Sequence, residues 1–142
     1  MPVIKREFPL CRDRIVFSSL RGELTVPATI LCIGDLHLGK APGSLSAVAA
    51  ERFAADMTSI GPECAWERAV DAAIEHEVDA VLLAGDVVHD LDDAFRVERL
   101  IEDGVKRLAS ESIPVFAVVG NHDALALPAV ARSIEGLQLL GE

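Results

Sequence analysis

The chain has 142 residues, 51% of them hydrophobic, and a formal net charge of −10 at pH 7. That length fits one domain of ordinary size, and the apolar fraction suffices for a core, which excludes a disordered chain. The acidic balance makes a poor general surface for nucleic acid, since phosphate contacts supply most of that affinity.

The charge is unevenly spread. Residues 1–22 hold five basic and two acidic residues, and the remainder eight basic and twenty-one acidic. No uninterrupted apolar run is long enough to span a bilayer. Residues 1–14 contain no apolar h-region, so a cytoplasmic protein with no membrane partner is expected. The three cysteines, Cys11, Cys32 and Cys64, are odd in number and form no C-x-x-C pair. A disulfide framework or a cysteine zinc site is therefore disfavoured.

Residues 1–28 read as an N-terminal extension or edge strand, with Ile15–Phe17 as the candidate strand. Thr29–Ile33 is a short apolar run that reads as a buried strand, with Cys32 as a small buried residue within it. Residues 41–63, with Pro42, Gly43, Gly61 and Pro62, read as a loop with one helical turn. Ala65–Glu77 has helical spacing, with Ala69, Ala72, Ala73 and Ile74 on one face and Trp66 and Val70 beside it. Trp66 reads as core rather than as a platform for a base, and His76 as a surface residue.

Ala80–Ala84 is a second strand. Over Ala94–Ser110, Phe95, Leu100, Ile101, Val105 and Leu108 mark the apolar face of a second helix, with Asp92 or Asp93 as its cap. Val115–Val119 is a third strand, Pro128–Ile134 a short helix and Leu137–Leu140 a fourth strand-like run. The strand runs do not alternate, which predicts strands buried on both faces. Strands alternating with helices predict an α/β protein with a largely parallel sheet.

Each of the first three strands ends at a glycine followed by polar residues. The stretches are Gly34-Asp35-Leu36-His37, with Leu38-Gly39-Lys40 trailing; Gly85-Asp86-Val87-Val88-His89-Asp90; and Gly120-Asn121-His122-Asp123. Imidazole and carboxylate without thiolate form the ligand set of a hard or borderline divalent metal. In open parallel sheets, ligands bind beyond the carboxyl ends of the strands. The three stretches are therefore expected to converge.

Hydrolysis of a phosphate ester needs a nucleophile at neutral pH, charge neutralisation on the phosphoryl oxygens and help for the leaving group. Two divalent ions supply the first two. Asp35 and His37, two residues apart, can reach one ion, Asp86 is placed to bridge both, and Asn121 offers a carbonyl oxygen to the second. His122 is then the general acid, with Asp123 orienting its imidazole. Asp35 and Asp86 as plain helix caps would leave His37 and Asn121 unexplained. Lys40 is a phosphate contact or a solvated lysine, and His89 a catalytic or a solvated loop histidine.

Taken in order, Asp35-Leu36-His37, Gly85-Asp86 and Gly120-Asn121-His122-Asp123 resemble the D-x-H, G-D and G-N-H-D signature of the calcineurin-like metallophosphoesterase superfamily. The resemblance implies half of a four-layer αββα sandwich, with residues 29–142 as the N-terminal part of the domain. It implies a dinuclear phosphodiester hydrolase with two divalent metal ions. Asp35-Leu36-His37-Leu38-Gly39, Gly85-Asp86-Val87-Val88-His89-Asp90 and Ile113-Pro114-Val115 look like the SbcD-type DNA repair nucleases. That likeness implies DNA as substrate, an exonuclease or endonuclease activity, manganese as the metal and a catalytic role for His89. The ligand set itself also admits iron or zinc.

The superfamily's domain continues past G-N-H-D with further histidines, including a G-H-x-H motif, and no histidine follows His122 here. The expectation is a segment of a larger protein, inactive alone, with a homodimer or a partner subunit in the full-length form. Two rivals stand beside the nuclease: a phosphodiesterase or phosphatase for small nucleotides, and a truncated, inactive interaction module.

Overall fold

Among the described residues, four parallel strands and three helices alternate. The computed structural model describes residues 28–40, 61–89 and 91–141. The expected strand at Ile15–Phe17, Cys11 and the loop over residues 41–60 lie outside the described residues. The elements are β1 (Ile30–Ile33), α1 (Pro62–Glu75), β2 (Ala80–Ala84), α2 (Leu91–Ser110), β3 (Val115–Val118), α3 (Ala126–Ser133) and β4 (Leu137–Leu139). The sheet order is β1-β2-β3-β4 and every pairing is parallel. The fold is α/β, as expected.

Each helix starts earlier than its apolar spacing suggests. Gly61 and Pro62 begin α1, because proline has no N–H to lose in a first turn. Leu91 begins α2, so Asp92 lies inside the helix rather than at its cap. Ala126 begins α3, which leaves Pro128 within its first turn. The helices α1 and α2 end alike. Val78 N–H donates to the Ala73 carbonyl and Ile113 N–H to the Leu108 carbonyl, with Glu77 and Ser112 in the left-handed region after each helix. These are Schellman closures without glycine.

The sequential strand order decides where the core lies. Crossovers of the usual right hand, all moving one way along a sheet, put every helix on one face. The register places Leu31, Val81, Val115 and Leu137 in one row on that face, and Ile33, Leu83, Ala117 and Leu139 in the next. These residues join Trp66, Val70, Ile101, Val105, Leu108, Leu127 and Val130 in a single core. The opposite face carries Ile30, Cys32, Leu82, Phe116, Val118 and Gln138. Cys32 and Gln138 are exposed and the other four only half-buried. The prediction of strands buried on both faces is thus corrected for the described residues: the sheet is apolar on both sides, but the described helices cover one. Cys32 is exposed for the same reason. Phe95, expected on the apolar face of α2, is 84% exposed.

The contact between α1 and α2 explains a glycine in the middle of a helix. Trp66 is buried, and its indole Nε1–H donates to the Leu100 carbonyl at 3.0 Å. A Cβ on Gly104 would lie 2.5 Å from Trp66 Cζ2. Glycine is disfavoured against alanine inside a helix by about 1 kcal/mol. Here the ring takes the space that alanine would need. Gly104→Ala is therefore expected to destabilise the protein by about 1–3 kcal/mol, despite its better helix propensity. The shift of the urea unfolding midpoint at constant slope measures it, and an unchanged or raised midpoint would contradict this packing.

Candidate metal centre

The chain does not turn away from the sheet at the ends of β1 and β2. Asp35 N–H donates to the Gly85 carbonyl at 3.1 Å, His37 N–H to the Asp86 carbonyl at 2.9 Å and Leu38 N–H to the Val87 carbonyl at 2.8 Å. His89 N–H then donates to the Leu38 carbonyl at 3.0 Å. Leu38 and Val88 form an isolated parallel bridge, and both are fully buried. The first two polar stretches are in effect a frayed extension of the sheet. Two apolar residues, Leu38 and Val88, anchor it into the core.

Three residues in this extension adopt left-handed backbone: Asp35 at φ 58°, His37 at φ 47° and Asp86 at φ 51°. Such conformations in non-glycine residues cost of order 1–3 kcal/mol and persist where the surroundings over-determine them. The same three residues aim their side chains together. One ligand-type atom from each of Asp35, His37 and Asp86 lies within 4.8 Å of the others. His37 Nε2 is 2.9 Å from Asp35 Oδ1. Two carboxylates and an imidazole at this spacing fit a hard or borderline divalent cation.

The third stretch arrives by a close backbone approach. A Cβ on Gly85 would lie 3.0 Å from Gly120 Cα, and a Cβ on Gly120 would lie 2.6 Å from Asp86 Cγ and collide with the Asp86 backbone nitrogen. Both positions exclude a side chain. His122 N–H donates to Asp86 Oδ1 at 2.9 Å. The His122 ring centroid is 5.2 Å from that of His37. Asn121 sits exposed between Gly120 and His122 in the same loop. His89 also reaches the cluster: its Nδ1 is 3.3 Å from His37 Nδ1, with ring centroids 5.3 Å apart. The imidazoles of His37, His89 and His122 and the carboxylates of Asp35 and Asp86 therefore lie together, and Asp123 is apart from them.

Asp123 does something different from orienting His122. Its side chain is fully buried. Oδ2 accepts from Val87 N–H at 2.7 Å and Oδ1 from Gly120 N–H at 2.6 Å. Among the described residues, no hydrogen bond joins Asp123 to the His122 imidazole. A buried carboxylate is tolerable when charge-assisted bonds saturate it. Here those bonds tie the loop after β2 to the loop after β3. The Asp123 carbonyl also accepts from Leu127 N–H at 2.9 Å, which opens α3.

Sequence reasoning missed two residues. Leu38 looked like part of a polar stretch, although an apolar side chain between His37 and Gly39 is itself a sign of anchoring. Arg96 gave no signal: it lies among the charged residues of α2, and only the fold brings it to Gly39.

The calcineurin-like phosphoesterase family model matches residues 28–140, and the chain belongs to that family. An uncharacterized metallophosphoesterase of Bacillus subtilis (strain 168), YhaO, is 34% identical over 56 residues, covering 39% of this chain and 14% of that protein. The crystal structure of Pseudomonas putida nuclease MPE superposes with a TM-score of 0.51 at 21% identity, over 78% of this chain and 46% of that one. The chain thus spans less than half the length of these relatives. The likeness to the nuclease is one of fold.

Asp123→Asn replaces one acceptor oxygen with an amide that faces a backbone donor. It is expected to destabilise the protein by about 1–3 kcal/mol. Urea unfolding measures this, and an unchanged midpoint would remove the stapling role from Asp123.

Proposed function

We propose that the chain is the metal-holding part of a dinuclear phosphoesterase that hydrolyses phosphodiesters, with DNA as the preferred substrate. The observation that carries the reading is the convergence of Asp35, His37 and Asp86 donor atoms within 4.8 Å, from two strand ends 51 residues apart in sequence. Asp35, His37 and Asp86 would hold one cation, with Asp86 and Asn121 turned to a second. When bound, two such cations supply a nucleophile at neutral pH and neutralise charge on the phosphoryl group.

The remaining work falls to the protein's own groups. Asp86 Oδ1 already accepts from His122 N–H, so the carboxylate that would bridge the cations also fixes the loop that carries His122. The exposed His122 imidazole is the proton donor to the leaving oxygen. His89, stacked edge-on to His37, is the second catalytic imidazole in this reading. Manganese suits the mixed oxygen and imidazole set, as iron or zinc also would. The SbcD-like spacing of the motifs favours DNA, and the nuclease activity of the Pseudomonas putida protein accords with it. The overall acidity does not oppose this, because bound cations offset the carboxylates where phosphate would sit.

Calorimetric titration of the chain with Mn2+ is the test. Binding is expected, and His37→Ala or Asp86→Asn is expected to weaken it by about a hundredfold or more, beyond the loss usual for residues one step removed from a metal. No binding at millimolar Mn2+ would overturn the metal reading in favour of an interaction module. With the full-length protein, Mn2+-dependent cleavage should be seen with a DNA duplex. Turnover of a small phosphodiester with none of DNA would overturn the nuclease preference.

A further inference from the structure

We propose that Arg96 is a positioning residue for the metal centre, acting by clamping the turn that carries His37. The turn His37-Leu38-Gly39-Lys40 is closed by Lys40 N–H donating to the His37 carbonyl at 3.0 Å. Its other backbone anchors all lie on the loop after β2: His37 N–H on the Asp86 carbonyl, Leu38 N–H on the Val87 carbonyl and the Leu38 carbonyl on His89 N–H. The Gly39 carbonyl takes no part in these bonds, and Gly39 itself has left-handed backbone at φ 96°. The Arg96 guanidinium donates to it through Nη2. It is a side-chain hydrogen bond to the backbone of the turn.

The placement is specific. Arg96 lies in the second turn of α2, the helix that follows the Asp86 loop directly. A cation near the start of a helix gains nothing from the helix dipole. It makes here a charge-assisted bond to a carbonyl 57 residues away. The bond joins the segment carrying Asp35 and His37 to the element that follows Asp86 and His89. It therefore holds His37 in a left-handed conformation that its own backbone does not favour. Arg96 touches neither substrate nor metal in this scheme; it acts through His37.

Two readouts test the proposal, and only one rests on the function proposed above. The first is amide hydrogen exchange without added metal. Arg96→Met keeps the aliphatic stem and removes the donor. It should speed exchange at His37, Leu38 and Lys40 by about tenfold, as loss of one charge-assisted bond would. Arg96→Lys, which keeps a cationic donor, should restore part of the protection. Arg107→Met removes a comparable charge from the same helix, one paired with Asp71 far from the turn, and should leave these amides unchanged. Unchanged exchange in Arg96→Met, or equal acceleration in Arg107→Met, overturns the proposal.

The second readout is Mn2+ affinity by calorimetry. Arg96→Met should weaken it by about tenfold with an unaltered melting temperature, and Arg107→Met should not change it. Undiminished affinity in Arg96→Met overturns the proposal. If the wild-type chain binds no Mn2+, the metal reading fails, and the exchange experiment alone decides whether Arg96 positions the turn.

Discussion

Val87 and Gly120 each point a backbone N–H at the same fully buried carboxylate, that of Asp123. The two donors belong to loops that follow different strands. Without an acceptor between them, one buried and one part-buried N–H would lose their hydrogen bonds. With it, the loops are held close enough for Gly85 and Gly120 to touch backbone to backbone. Asp86, one residue before Val87, is then delivered to the N–H of His122. The geometry of the cluster follows from that one buried anion.

The local strain of the cluster is distributed rather than isolated. Asp35, His37 and Asp86 all sit in left-handed backbone. Asp35 and His37 donate to carbonyls of the β2 loop, Asp86 accepts from His37 and His122, and Leu38 and Val88 anchor the extension in the core. Pre-organised ligands lose little freedom when a cation arrives, which is how a site of few donors can bind well. Three of the strained residues are thus the ones whose donor atoms form the candidate cation site, while Glu77 and Ser112 use the same backbone region merely to end helices.

The one-sided sheet is the second consequence of topology. Strands in sequential order keep all helices on one face, so the residues opposite, including Phe116 and Leu82, are half-buried though apolar. Apolar runs without alternation are what a strand needs when its second face also meets protein.

Much of this was legible in the residues themselves. Strand lengths, helix faces, the parallel order and the meeting of three strand ends follow from apolar periodicity and from glycine-terminated runs, because these are local signals repeated at fixed spacing. Trp66 as core and His76 as surface were equally readable. What only the tertiary structure decided were contacts between residues with no periodic relation: Asp123 serving two backbone N–H groups instead of His122, Arg96 reaching Gly39, and Trp66 filling the place of a side chain at Gly104. The exposure of Cys32 and Phe95 belongs with these. Hydrophobicity states what a residue prefers, whereas the direction of the crossovers determines which face is offered a partner. Sequence thus specified the chemical groups and their order, and three-dimensional packing assigned each group its neighbour.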